Sequence, residues 1–201
     1  MKIEGIASYT DSAGKRHSVE GIGSLPDAAL QDLNVSGSLS FDKLSCDDVE
    51  VEGSIGGKLL TAKKISVEGS FDVGVTDVET FNLSGSIDAE KLTAKEILIE
   101  SRGGNIGAIK CDKLKIFHGE IHEVGASILS KIFGGKVSRQ SNSRVRIKNI
   151  EADTVELENC AVDVIKCRDA FIGTNCAIEK LFVAGKCTVA DDSTVGETIH
   201  T

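Results

Sequence analysis

The sequence predicts an all-β fold, a single-stranded parallel β-helix (β-solenoid) built from triangular coils of about 16 residues. Three observations lead to this prediction: a strictly periodic glycine, apolar residues in register with it, and alternating charges at one outer position. Composition agrees, because 21 glycines stand beside one proline, no Trp and 4% aromatic residues. A narrow core of small branched side chains would have this composition. The periodic glycines are Gly5, Gly21, Gly37, Gly53, Gly69 and Gly85.

The apolar residues follow the same period. Counted from the residue two before each glycine, they occupy offsets 0, 4, 6, 9, 11 and 14. The third repeat supplies Val35, Leu39, Phe41, Leu44, Cys46 and Val49. A spacing of two marks two inward residues on one short strand, and a spacing of three or four marks a bend. Each repeat is therefore predicted to form three short strands. A glycine in every repeat would break a helix, and antiparallel hairpins do not explain its period.

Charges at one outer position provide a separate test of stacking. The residue after offset 11 alternates in sign along Asp47, Lys63, Glu79, Lys95 and Asp112. If coils stack directly, these side chains are neighbours about 4.8 Å apart, and opposite charges then face each other. The later pair Asp153 and Arg168 continues the series. The ladder contributes little energy but specifies the register.

In chain order, the pattern predicts one solenoid domain over residues 1–201 with about twelve coils. Residues 1–18 are predicted to be an N-terminal capping coil whose outer side meets water, because Ser12, Gly14 and His17 replace apolar residues. Residues 117–145 are predicted to be an enlarged coil with a short helix at 127–133 and a polar loop at 138–144. Residues 190–201 are predicted to be a C-terminal cap or tail. The predicted coil openings are Ile3, Val19, Val35, Val51, Val67, Leu83, Ile99, Ile116, Val137, Leu157, Ile172 and Val189.

Charge and cysteine usage suggest the environment of the protein. A net charge of -8 disfavours a dedicated nucleic-acid binder, which would need a basic surface. The first residues contain no apolar leader, and no apolar run approaches the about 18 residues of a membrane span. We therefore expect a cytoplasmic protein without an integral membrane segment. The six cysteines lack CxxC spacing, so most are predicted to be buried, reduced thiols that pack as small apolar groups.

The sequence contains no established catalytic or nucleotide-binding motif, and we expect no enzyme activity, cofactor or metal. His118 and His122, with Cys111 upstream, form only a weak metal candidate, because residues four apart do not generally converge on a solenoid. One basic cluster stands out in this acidic chain. It is either a solvated loop or a docking patch for an anionic partner, with Lys136, Arg139, Arg144 and Arg146 as the binding residues. The cluster comprises Lys131, Lys136, Arg139, Arg144, Arg146 and Lys148.

Three runs resemble the repeats of the bactofilins: VEGSF at 67–71, LSGSIDAEKL at 83–92 and AKEILI at 94–99. The resemblance covers residues 19–117 well and the remainder loosely. It implies a right-handed triangular β-helix, no nucleotide, and end-to-end assembly into cytoskeletal filaments that act as scaffolds for partners, including other cytoskeletal or cell-envelope proteins. The sequence departs from the family in lacking Pro-rich tails and in its polar first coil.

The leading hypothesis is a non-enzymatic structural protein that self-assembles end to end into nucleotide-independent filaments or scaffolds. Leu181, Val183 and Val189 are the predicted assembly interface at the C-terminal end. The alternative is a non-polymerising solenoid adaptor that binds an anionic partner through residues 131–148. A carbohydrate-acting β-helix enzyme is a third possibility, which would need acids clustered in a groove.

Overall fold

The computed structural model describes residues 7–12, 16–118 and 144–201. All regular secondary structure in these ranges is β-strand. The same ranges contain no helix long and apolar enough to cross a membrane. The predicted short helix and most of the predicted polar loop lie outside the described residues. The strands are β1 (Ala7–Ser12), β2 (Arg16–Ala29), β3 (Asp32–Ser45), β4 (Asp48–Thr61), β5 (Lys64–Asp77), β6 (Thr80–Thr93), β7 (Glu96–Phe117), β8 (Val145–Leu157), β9 (Cys160–Ile172), β10 (Ala177–Val183), β11 (Cys187–Val189) and β12 (Thr194–His200).

The parallel β-solenoid predicted from the sequence is confirmed. From β2 to β12 all strand pairs are parallel, and successive coils lie directly above one another. Val35 pairs with Val51, and Val51 pairs with Val67, so the 16-residue period of the sequence is the pairing register. Within β3, β4 and β5 the alternation of buried side chains is interrupted twice, as two bends in each strand produce, and a two-residue break separates each of these strands from the next. The chain thus builds three-sided coils around one continuous core.

The structure has about ten coils, so the predicted number of twelve was too high. One reason lies at the start of the chain, where β1 runs antiparallel to β2 and pairs Ala7 with Gly21. The second reason lies in the enlarged coil. Ile116 pairs directly with Leu157, so β8 stacks directly on β7, and the predicted coil opening at Val137 lies outside the described residues.

Both ends of the described structure differ from the sequence pattern. β1 lies along the outer edge of residues 16–21 instead of forming a parallel coil there. His17, one of the polar residues of the predicted capping coil, pairs with Leu33 and is 9% exposed. At the other end, the segment predicted to be a cap or tail contributes β12, which pairs in parallel with β10.

Most inward positions predicted from the apolar period are buried. All six predicted residues of the third repeat, from Val35 to Val49, are at most 6% exposed. The largest core side chains, Phe71 and Phe81, meet edge to face with ring centroids 5.0 Å apart. Such pairs contribute about 0.5–1.5 kcal/mol beyond the area that they bury. One core therefore extends along the described coils from Val19 to Val183.

The periodic glycine occupies a corner that only glycine fits well. Gly53 has a φ of 128°, and a Cβ atom there would lie 2.1 Å from the carbonyl oxygen of Gly37 one coil below. The column continues to Gly85, which pairs with Ser101. Arg102 is then an extra residue, and Gly103 takes the positive φ of 119°. This bulge explains why the period loosens after residue 100.

The predicted charge ladder forms on the outer surface. Lys63 Nζ lies 2.9 Å from Asp47 Oδ1, and Lys95 Nζ lies 3.2 Å from Glu79 Oε2. The hydrogen bond to Asp47 raises the pKa of Lys63 above its ordinary value. Because these side chains are exposed, the ladder acts mainly by opposing a shift of register. The later pair Asp153 and Arg168 is also formed, with 3.6 Å between the carboxylate and the guanidinium.

Thr76 is the polar exception in the core. Its side chain is fully buried between Leu60 and Leu92 of the neighbouring coils, and Oγ1 has no hydrogen-bond partner among the described residues. An unsatisfied buried hydroxyl costs about 1–3 kcal/mol. We expect Thr76→Val to stabilise the protein by about 1 kcal/mol in chemical denaturation. The same change at exposed Thr61 should alter stability by less than about 0.5 kcal/mol, and equal effects at both positions would contradict the explanation.

Candidate functional site

Two of the three predicted interface residues lie inside the molecule. Leu181 and Val183 are 0% exposed, because β12 adds another strand over β10 and pairs Thr198 with Leu181 and His200 with Val183. A second copy of the chain therefore cannot contact these two side chains in the folded state. Val189 is 38% exposed, and no strand among the described residues pairs with the outer edge of β11.

We call the outer edges of β11 and β12 the terminal edge. Val195 and Thr198 stand above the inward residues Ile178 and Leu181. A further coil would therefore cover the side chains of Val195 and Thr198. The backbone N–H of Thr201 donates to the carbonyl of Val183. Neighbouring residues of a parallel strand direct their N–H groups to opposite sides. The N–H of His200 therefore points away from β10. The terminal edge thus presents backbone groups beside a mixture of apolar and polar side chains.

The opposite end of the described coils is partly covered. β1 pairs with Arg16–Gly21, leaving the outer edge of residues 22–29 without a strand partner among the described residues. Ile22 is 64% exposed there, and Pro26 lies in the same segment. Proline and a folded-back strand are both common ways of protecting a sheet edge. The two ends are therefore unequal, and the terminal edge is the less protected of them.

Part of the predicted basic cluster is described. Lys136 and Arg139 lie outside the described residues. Arg144 is exposed, and its guanidinium donates a hydrogen bond to Asn175 Oδ1. Arg146 and Lys148 are exposed on β8, where the alternate residues Val145 and Ile147 point inward. The described part of the cluster thus consists of one arginine held by a corner residue and two outward cations.

A pair of stacked thiols lies beside this corner. Asn159 and Asn175 have φ values of 54° and 55°, and the side-chain amide of Asn175 donates to Asn159 Oδ1. Each is followed by an inward cysteine, Cys160 or Cys176, 0% and 2% exposed. The sequence interpretation treated all six cysteines alike and missed this pair. Its signal was present, since the dipeptide Asn-Cys recurs after 16 residues.

Charge is distributed unevenly along the solenoid. Residues 16–112 contain seventeen Asp and Glu but only nine Lys and Arg. The difference of -8 equals the net charge of the whole chain. Glu50, Glu52 and Glu68 line a shallow groove on one side of the first coils. No three potential metal-ligating side chains gather within the described ranges, where His118 is exposed and Cys111 is buried. Burial raises the pKa of Cys111 to about 12.

The fold and the terminal edge define the class: a parallel β-solenoid whose last coil exposes unpaired backbone. No family model, curated protein or solved structure matches the chain.

Proposed function

We propose that this protein is a non-enzymatic structural protein of the cytoplasm that self-assembles end to end, without nucleotide, in the manner of the bactofilins. The terminal edge carries this proposal. It combines unpaired backbone in β11 and β12 with Val189, an inward residue that is 38% exposed. The resemblance of residues 67–99 to bactofilin repeats supports the same function. Assemblies of this kind would act as scaffolds for cytoskeletal or cell-envelope proteins.

The physical reason for assembly is the difference between inner and terminal coils. Ile172 and Leu157 occupy the same inward column as Val189 and are 0% exposed, because each has a neighbour on both sides. A second copy that stacked on the terminal edge would bury Val189 in the same way. It would also supply partners for the outward backbone groups, which makes an open strand edge a template for another chain.

The terminal edge also determines how strong this association can be. Thr198 is exposed and His200 is exposed, although both occupy columns that are apolar in the preceding coils. Inward polar residues at an edge weaken stacking. At the other end, β1 covers one side of the first described coil. We therefore expect assembly to depend on protein concentration rather than to be irreversible.

Val189→Asp is expected to prevent assembly, because stacking would bury a carboxylate without a partner. The cost of about 2 kcal/mol or more corresponds to association at least about thirtyfold weaker. Sedimentation velocity over a range of concentrations measures this change, and negative-stain microscopy without nucleotide shows the assemblies. The matched control is Phe171→Asp, since Phe171 is 50% exposed on the outer surface of β9, one coil below β11, where its backbone already has strand partners on both sides.

The two variants distinguish end-to-end stacking from lateral association. Assembly that survives Val189→Asp but is lost with Phe171→Asp would show that the chains associate through lateral contacts instead. A chain that stays monomeric at every concentration would contradict the proposal and favour the adaptor. In that case a partner bound through Arg146 and Lys148 should dissociate as salt rises, whereas apolar stacking should not.

A further inference from the structure

The thiol pair of Cys160 and Cys176 is set apart from the other cysteines by its position in the fold. Both belong to one inward column, in which Cys160 stands above Val145 and Ser193 stands above Cys176. Val145, next to Cys160 in this column, lies directly after Arg144 at the start of the last described range. The pair therefore sits in the core of the C-terminal coils.

The geometry brings the two sulfur atoms together. The flanking residues Ala161 and Ala177 are paired, and the amide of Asn175 reaches Asn159, so Cys160 at the start of β9 and Cys176 directly before β10 lie side by side on adjacent coils. Paired Cα atoms of adjacent strands are about 4.8 Å apart, within the about 4.4–6.8 Å that a disulfide spans. Each thiol donates to a backbone carbonyl, Cys160 Sγ to that of Glu158 at 3.2 Å and Cys176 Sγ to that of Leu157 at 3.4 Å.

The surroundings give the two thiols different chemistry. The neighbouring Cys160 thiol, as a potential donor to the Cys176 sulfur, and the nearby charge of Arg144 lower the pKa of Cys176 below its ordinary value. The same interaction, together with burial, raises the pKa of Cys160 well above its ordinary value. Cys176 is therefore the better thiolate, and Cys160 is a neighbouring thiol that can react in a second step.

Access to the pair is through the last coil. The hydroxyl of Ser193 accepts a hydrogen bond from the backbone N–H of Cys176 and donates to the carbonyl of Gly173. Ser193 and β12 have described neighbours on one side only. A terminal coil of a solenoid opens at lower cost than an inner one, so a molecule as small as a hydroperoxide can reach Cys176 when it opens.

We propose that Cys160 and Cys176 form a redox-sensitive modification site, in which a hydroperoxide converts the two thiols into a disulfide that links adjacent coils. The Cys176 thiolate attacks a peroxide oxygen. The O–O bond breaks, Cys176 becomes a sulfenic acid, and the departing oxygen takes a proton to leave as alcohol or water. Cys160 then attacks the sulfenic sulfur, the S–S bond forms, and the hydroxyl leaves as water with the thiol proton. Two thiols and one hydroperoxide thus give one disulfide, one alcohol or water, and one water.

The disulfide is expected to stabilise the last coils. It closes a short loop between neighbouring coils and limits the freedom of the unfolded chain. It also holds the corner where Arg144 contacts Asn175. This proposal does not require end-to-end assembly, because neither thiol lies on the terminal edge.

The test treats the folded full chain with hydrogen peroxide, removes the excess, alkylates the remaining thiols and maps the tryptic peptides. The sequence is well suited to this, since Cys160 and Cys176 fall in the separate peptides 149–166 and 169–180. We expect these two peptides to be linked, a loss of about 2 Da from the intact chain, and a higher thermal midpoint that returns to the reduced value with dithiothreitol.

Three variants make the result specific. Cys160→Ser should abolish the link and leave a Cys176 sulfenic acid that dimedone traps; Cys160→Ala serves if serine unfolds the column. Cys46→Ser is the matched control, because Cys46 is buried with Ala62 as its neighbour in the next coil, and the link should form normally. Absence of linked peptides from oxidised, folded protein would overturn the proposal. So would a link that forms only in urea, or a preferred link between Cys167 and Cys187.

Discussion

Gly53→Ala is expected to destabilise the solenoid by about 3 kcal/mol or more, because two effects act together. Gly53 has a φ of 128°, in a region that residues with a Cβ atom rarely adopt. An added Cβ would also lie 2.1 Å from the carbonyl oxygen of Gly37. That oxygen belongs to the backbone of the coil below, so the clash can be relieved only by separating the coils. Denaturant unfolding monitored by circular dichroism measures the loss.

Gly56→Ala is the matched control within the same coil. Gly56 does not have a positive φ of this kind, and its added Cβ would lie 3.3 Å from the carbonyl of Asp72. We expect a change within about 1 kcal/mol. Equal stability of the wild type and Gly53→Ala would show that the corner can rearrange. The periodic glycine would then not be required by the stacking of coils.

The regular coils could be predicted because their information is local and repeated. The residues from Val35 to Val49 occupy a pattern that recurs with Gly37 and Gly53, and pairing at the same spacing satisfies every repeat at once. The repeat thus specifies both which residues face inward and which strand lies next to which. The direction of β1 had no such signal. Alternating residues suit parallel and antiparallel strands equally, and only the short connection to β2 favours folding back.

The site was predictable only in part, for related reasons. Apolar alternation weakens after Val189, and the inward positions of β12 include the polar residues Thr198 and His200. Those residues resemble a tail, so the sequence placed the end of the solenoid one coil too early. Leu181 and Val183 were assigned to the surface for this reason, and Val189 alone remains on the terminal edge. The fold of a terminal coil depends on the backbone of the preceding coil more than on its own side chains.

Phe71→Ala is expected to cost about 3–5 kcal/mol, the usual range for removing a buried ring. Phe71 is 1% exposed, lies between Ile55 and Ile87 in its inward column, and packs edge to face on Phe81. Strand pairing above and below fixes the backbone, so the three-sided coil cannot contract to fill the space. The cavity should therefore remain, and the thermal midpoint should fall by about 10 °C.

Phe171→Ala makes the same chemical change on the outer surface, where the ring is 50% exposed. Its loss should cost less than about 1 kcal/mol, because the ring leaves no closed cavity. Comparing the two variants in one thermal scan separates core packing from ring removal as such. Similar losses at both positions would mean that the narrow core collapses around the missing ring. A core that adapts to the removal of a ring should also adapt to an added ring. In that case the width of the core would not explain why aromatic residues are scarce.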